Sequence, residues 1–197
     1  MKRFAFFFFI SLLILGGCKT KVTRTDVDTT IDISGHWNDT DSRLVAKGLI
    51  QDVLSRAWIS DYYRMNNGKP TVIVGTVRNK SSEHIETLTF VKDIEKALIN
   101  SGRVKVVASR TEREEIREER SDQQYYAREE TIKKMAAETG ADYMLKGVIS
   151  TIVDAEGGKK VVFYQVDMEL IDLENTEKVW LGSKKIKKYI KRPGAKW

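Results

Sequence analysis

Cys18, His36 and His84 are the only cysteine and histidines of the chain, and they bound its covalent and proton-transfer chemistry. Cys18 closes an apolar run and directly follows Leu15-Gly16-Gly17, a setting for covalent attachment. His36 stands beside Trp37, just ahead of the first helix. A catalytic base there needs a group to orient it, and the sequence displays none, so His36 is expected to cap or pack. His84 falls in a polar stretch and is expected to be exposed. Carboxylate pairs such as Glu114 and Glu118 lie in a charged run whose one apolar residue is Ile116. Solvated on a helix, they keep an ordinary acidity and make poor general acids. There is no G-x-S-x-G elbow, no P-loop and no dinucleotide fingerprint. Catalysis is therefore not expected, nor a metal, a cofactor or a small-molecule substrate. What remains is recognition. Arg78-Asn79-Lys80-Ser81-Ser82 is predicted to be a loop leaving a central strand. Loops at strand ends carry binding more often than the elements they join. Arg78 and Lys80 suit acidic groups on a partner, and Asn79 adds hydrogen-bonding capacity. The alternative is a plain connecting loop.

The N-terminus fixes the compartment. Lys2 and Arg3 precede an apolar run, Phe4 to Leu15, broken only by Ser11. This is the pattern of a secretory signal peptide, and it is too short for a spanning helix of ~20 residues. Leu15-Gly16-Gly17-Cys18 resembles a bacterial lipobox, in which the cysteine is lipidated and becomes the new N-terminus. Residues 1–17 are thus expected to be removed. Cys18 would be held to a membrane by acyl chains, each buried methylene contributing ~0.8 kcal/mol. Residues 18–33 are expected to form a short tether. About 14 extended residues reach at most roughly 50 Å.

Removing residues 1–17 from 197 leaves 180, enough for one domain. With its cysteine lipidated the mature chain forms no disulfide, and a Cys/His metal site is excluded. Loss of Lys2 and Arg3 lowers the formal net charge from +6 to about +4. The excess gathers at the C-terminal end, in Lys184, Lys185, Lys187, Lys188, Lys191, Arg192 and Lys196. Such a stripe fits anionic lipid or an acidic partner. It equally fits a solvated edge strand and tail, since edge lysines oppose aggregation. Nucleic acid is not expected outside the cytoplasm.

These groups need elements to position them. Asp39, Thr40 and Asp41 offer N-caps for a helix with Ala46, Ile50, Val53, Leu54 and Ala57 on one face, ending near Trp58. Asn66-Asn67-Gly68 marks a turn. Thr71–Val77 is a β-branched run, predicted as a central strand buried on both faces. Leu88, Val91, Ile94 and Leu98 define the next helix, stopped at Gly102. Val104 to Ala108 is a short strand. Ser109 and Glu112 form a capping-box signature for the charged helix. Ile132, Met135, Ala136 and Thr139 predict one more. Tyr143 to Val153, the alternating Val162–Leu170 segment, and Lys178 to about Tyr189 are three meandering strands, and Met144 and Met168 are expected in the core. The expected fold is α/β (α+β): a mixed, mostly antiparallel sheet of four to five strands flanked by about four helices. The globular part is placed at 34–190, with a basic tail at 191–197. No internal repeat is seen.

Several stretches, taken together and in order, resemble one family. They are Gly35-His36-Trp37-Asn38-Asp39, the Thr71–Lys80 strand and loop with Leu88 through Val107, the Gly140-Ala141-Asp142-Tyr143-Met144-Leu145 junction, and the Leu170–Trp180 hairpin. Behind a lipobox they resemble the LpoB family of lipoprotein activators of penicillin-binding proteins, over roughly Ser34 to Ile190. The junction and hairpin also resemble curli-channel lipoproteins and TolB-like N-terminal domains. The LpoB resemblance implies a TolB N-terminal-domain-like fold and no catalysis. It implies binding to a bifunctional penicillin-binding protein and allosteric stimulation of peptidoglycan synthesis. It also implies a partner face at Arg78, Asn79, Lys80, Tyr143 and Lys146. In one respect the chain departs from the family, which carries a long Pro-rich linker, whereas no proline precedes Pro70. The domain is thus expected to stay close to its membrane. Lys19 is not the Asp that retains lipoproteins at the inner membrane in some bacteria, so anchoring is expected at the outer membrane, facing the periplasm. Two other readings are an accessory of an envelope secretion assembly, from the curli-channel resemblance, and a wall hydrolase. The hydrolase lacks a separated acid and base.

Overall fold

Asn38 starts the first helix, α1 (Asp39–Ser55), in place of the expected Asp39–Asp41 caps. Its side chain accepts from the Asp41 amide at 3.1 Å, and the Asp41 carboxylate accepts from the Asn38 amide at 3.0 Å. This reciprocal capping box satisfies two of the donors left open at a helix start. Val45, Ala46, Leu49, Ile50 and Val53 form the buried stripe. The helix does not run to Trp58 as the periodicity predicts. It stops at Ser55, Arg56 turns extended, and a separate helix α2 (Trp58–Asn66) follows. Trp58 fixes that break, its indole donating to the Val53 carbonyl at 2.8 Å. Asn67 ends α2 at φ 51°, a conformation Asn tolerates.

The computed structural model describes residues 20–126 and 140–191. The signal peptide, Cys18, the helix expected around Ile132–Thr139, and Arg192 and Lys196 lie outside the described residues. The chain divides into two compact units, Met1–Thr30 and Ile31–Trp197. The described part of the first is exposed, with one turn where the Thr29 amide donates to Asp26 O.

The second unit carries one five-stranded sheet in the order β2-β1-β3-β4-β5. Its strands are β1 (Thr71–Asn79), β2 (Lys105–Val107), β3 (Tyr143–Glu156), β4 (Lys159–Asp172) and β5 (Lys178–Lys191). β1 pairs in parallel with β2 and β3, and the long β3–β4–β5 meander is antiparallel. The other helices are α3 (Thr87–Ser101) and α4 (Arg110–Tyr126). Among the described residues this is a mixed α+β fold with four helices. Gly157 and Gly158, at φ +53° and +76°, make the β3–β4 turn, where two successive positive φ angles match the twist of a hairpin.

Three local expectations change. β1 is buried on both faces only over Thr71–Val74. A register shift between Val74 and Val77 then leaves Thr76 exposed, and the strand continues through Arg78 and Asn79, which are not loop residues. On α3 the buried stripe is Phe90, Ile94 and Leu98, an i, i+4, i+8 ladder, while Leu88 is 61% exposed. Met144 is half-buried on the sheet face away from the core, and only Met168 is fully inside.

The core lies between one face of the sheet and helices α1 and α3, which pack on each other and on the strands. β4 supplies Val162, Tyr164, Val166, Met168 and Leu170, all at 0–1% exposure. Tyr143 belongs to this core, packed edge-on against Trp58 and Tyr62 with ring centroids 5.2 and 5.8 Å away. The charged helix α4 starts as expected: the Glu112 carboxylate accepts from the Ser109 amide at 2.8 Å. Ile116 is 40% exposed, and Glu114 pairs with Arg110 at 3.1 Å.

Candidate partner-binding face

The strand alternation that fills the core also builds the opposite face. Residues directly paired across neighbouring strands share a face. Arg78 on β1 is paired with Val148 on β3, Lys146 with Glu169 on β4, and Glu169 with Leu181 on β5. These side chains meet over a groove of 380 Å³ whose walls also include Thr76, Met144 and Asp167. Gly147 lets β3 and β4 pack closely beneath the groove, since a Cβ there would stand 2.7 Å from the Asp167 carbonyl and 2.9 Å from Met168 Cγ.

Charge in the groove is part paired and part open. Glu169 is bracketed by Lys178 at 2.5 Å and Lys146 at 3.3 Å. The Lys178 hydrogen bond, with that of Lys146, holds its pKa below the usual carboxylate range against the effect of burial. Gln165 donates to both Asp167 oxygens, at 2.9 and 2.8 Å. Arg78 and Lys80 are exposed and make no ion pair among the described residues. Leu181 adds an apolar side chain, 70% exposed, to the rim. The groove therefore offers a free guanidinium beside apolar surface and a fixed carboxylate, a combination suited to docking another protein.

The five residues expected at the partner face fall into three places. Arg78 and Lys146 share the groove. Asn79 and Lys80 stand at the end of β1, where the Lys80 amide donates to Ile149 O at 2.8 Å. Asn79 is occupied with its own loop, donating to the Glu83 carbonyl at 2.7 Å and accepting from the Ser81 amide and hydroxyl. Tyr143 lies on the core face, 6% exposed. Glu169, Lys178 and Leu181 were missed as site residues. The alternation of β4 already separates Gln165, Asp167 and Glu169 from the core set. Only the strand register places them beside Arg78.

A second polar cluster corrects the reading of His36. Its Nδ1 lies 2.8 Å from a Glu83 carboxylate oxygen, so it does have an orienting partner. Glu83 also accepts the Tyr164 hydroxyl at 2.8 Å and the Trp37 amide at 3.1 Å. Burial pushes Glu83 toward neutrality, but the donors from Trp37, His36 and Tyr164 outweigh it and hold its pKa below the ordinary value. Burial, then the Glu83 carboxylate, pushes the Tyr164 hydroxyl up. No sequence signal joins residues 36, 83 and 164. The shared carboxylate ties the segment before α1 to the loop after β1 and to the core. Among the described residues no three His, Cys, Asp or Glu side chains converge to hold a metal ion, and no helix is long and apolar enough to cross a membrane.

The family model described as peptidoglycan-synthase activator LpoB matches residues 41–186, most of the second unit and all five strands except the end of β5. The chain belongs to the LpoB family. The LpoB C-terminal domain from Salmonella enterica is similar at 15% identity, covering 74% of this chain and 98% of that one, with a TM-score of 0.44. The Escherichia coli LpoB C-terminal domain is similar at 14% identity, covering 77% and 99%, also with a TM-score of 0.44. Lipoprotein GNA1162 from Neisseria meningitidis is similar at 17% identity over 61% of this chain and 83% of that one, with a TM-score of 0.38. No curated protein sequence matches the chain. The LpoB match lies within the span of the resemblance seen in the sequence, and the family is one of peptidoglycan-synthase activators.

Proposed function

We propose that this protein is a lipid-anchored periplasmic activator that binds a bifunctional penicillin-binding protein and stimulates peptidoglycan synthesis, with no catalysis of its own. The family match over residues 41–186 is the observation that carries this reading. Cys18, behind its signal peptide, is the proposed lipidation site, and the outer membrane the proposed anchor. The domain boundaries follow: tether 18–33, activator domain 34–190, basic tail 191–197.

Arg78 and Lys146 make the direct contacts, with Lys80 beside them at the end of β1. Asn79 shapes the loop that presents Lys80. Tyr143 acts from behind, anchoring β3 against Trp58 and Tyr62 so that Lys146 is held in place. Activation is a coupling between binding and the synthase's active state. The activator must bind that state better than the resting one, and a coupling of ~1–3 kcal/mol raises its population several-fold to about a hundredfold.

The test is glycan polymerisation by a purified bifunctional penicillin-binding protein, with and without the activator, alongside a direct binding measurement. Stimulation should be saturable. Arg78→Glu plus Lys80→Glu should weaken binding at least roughly tenfold, or ~1.4 kcal/mol. Binding without stimulation, or no binding to any such synthase of the same cell, would sink the proposal.

A further inference from the structure

The same outer sheet face carries a second patch, about six residues or ~20 Å along the strands from the groove. Its rows follow from the register. Ile152 is paired with Phe163 and Phe163 with Lys187, and Val161 is paired with Tyr189. Ile152 and Tyr189 are 69% and 61% exposed. Along the edge strand, Lys185, Lys187 and Lys191 flank Tyr189 on this face, all exposed and with no ion pair among the described residues. The acidic groups on this face are Asp154 and Glu156 on β3, which line one hollow with Lys159 and Tyr189, and Asp167 on β4, paired with Ser183, so the lysines outnumber the carboxylates chiefly along the β5 edge. Beyond Lys191 the sequence continues Arg-Pro-Gly-Ala-Lys-Trp, two more cations and an indole.

Among the described lysines of the basic stripe, Lys184 lays its stem against Gly48 of α1 and Lys188 is the one tied into the fold by ion pairs. It is 9% exposed and contacts Asp32 at 2.8 Å, Asp41 at 2.6 Å and the His36 carbonyl at 2.8 Å. It points to the core face and pins residues 32–36 onto β5. The lysines on the other face are bound to nothing comparable.

We propose that this edge, Lys185, Lys187, Tyr189 and Lys191 with Phe163 and Ile152 beside them, docks the domain on an anionic phospholipid surface. Charge complementarity selects the occupant. Lysines spaced along roughly 20 Å of strand are matched by a plane of lipid phosphates. Tyr189 gives the amphipathic ring that settles at a lipid–water interface, and Phe163 adds apolar surface beside it. A merely solvated edge strand needs the lysines, but gains nothing from exposing Tyr189 between them and Ile152 in the row of Phe163 and Lys187. Docked by this edge, the domain would present the Arg78 groove at the far end of the same face. The proposal does not depend on which partner that groove binds.

The experiment is co-sedimentation of the chain from Thr20 onward with phosphatidylcholine vesicles, made with and without phosphatidylglycerol. All buried apolar residues described lie between Val45 and Trp180, so this chain keeps the described core; thermal melts confirm the fold of each variant. Binding should require phosphatidylglycerol and fade as salt approaches about 0.5 M. Lys185→Glu, Lys187→Glu and Lys191→Glu together should weaken it about a hundredfold, and Tyr189→Ala severalfold. Arg78→Glu should leave it unchanged. No binding to anionic vesicles, equal binding to neutral ones, or an equal loss from Arg78→Glu would overturn the proposal. So would binding to soluble polyglutamate but not to vesicles, which would make the edge a site for acidic polymers.

Discussion

Along β4, Val162, Tyr164, Val166, Met168 and Leu170 face inward at 0–1% exposure, while Phe163, Gln165, Asp167 and Glu169 face outward between them. One strand thus serves two surfaces with different physics. The inner set is held by close packing, where each lost methylene is felt. The outer set is held by the backbone register and by surface pairs, Glu169 with Lys178 and Lys146 and Gln165 with Asp167, which contribute far less than packing. Substitutions on the two faces should therefore separate stability from recognition.

The largest effect is expected on the inner side. Phe90, at 0% exposure, fills the space between α3 and the sheet. Phe90→Ala should cost ~3–5 kcal/mol, from lost transfer energy and the cavity left behind. Urea denaturation measures it, and a loss under about 1 kcal/mol would mean that the core repacks freely.

Glu83 stands between the two surfaces, and its effect should be intermediate. Glu83→Ala leaves the buried Tyr164 hydroxyl without its acceptor, at a cost of about 1–3 kcal/mol. The same substitution predicts a pH signature. The folded protein holds Glu83 below its ordinary value of 4.5, so the unfolded chain binds the proton more readily. The stability Glu83 contributes is fully present above 4.5 and is lost as pH falls through the lowered folded value. Acid denaturation should be steeper in the parent than in Glu83→Ala over that range. Parallel curves would place the carboxylate's energetics elsewhere.

What was legible in the sequence follows the same division. The capping box at Ser109 and Glu112, the Gly102 stop and the alternation of β4 are local patterns, and each forms as read. α2 was missed because its start depends on Trp58 folding back to the Val53 carbonyl, which no periodicity encodes. The polar Arg78 and Asn79 make the end of β1 look like a loop in the sequence. Pairing with Val148 and Ile149 outweighs their low strand preference. The His36–Glu83–Tyr164 cluster was invisible because residues 47 and 81 positions apart meet only through tertiary packing. Arg78 was legible as a free cation. Its groove companions Glu169 and Leu181 were not, since a one-residue slip in register would send them to the other face.

The smallest effect on stability is expected at Arg78, and it sharpens the contrast most. Its guanidinium is exposed and has no ion pair among the described residues, so Arg78→Glu should change unfolding free energy by less than about 0.5 kcal/mol. Lys146 gives the control. It is paired with Glu169, which keeps Lys178 when Lys146 is removed, so Lys146→Ala should cost only ~0.2–1 kcal/mol. If Arg78→Glu instead destabilised the domain by more than about 1 kcal/mol, beyond the loss expected for Lys146→Ala, Arg78 would be part of the scaffold. A loss of synthase binding in that variant would then say nothing about contact. A stable Arg78→Glu domain that fails to bind separates the two faces cleanly, because the core it rests on is untouched.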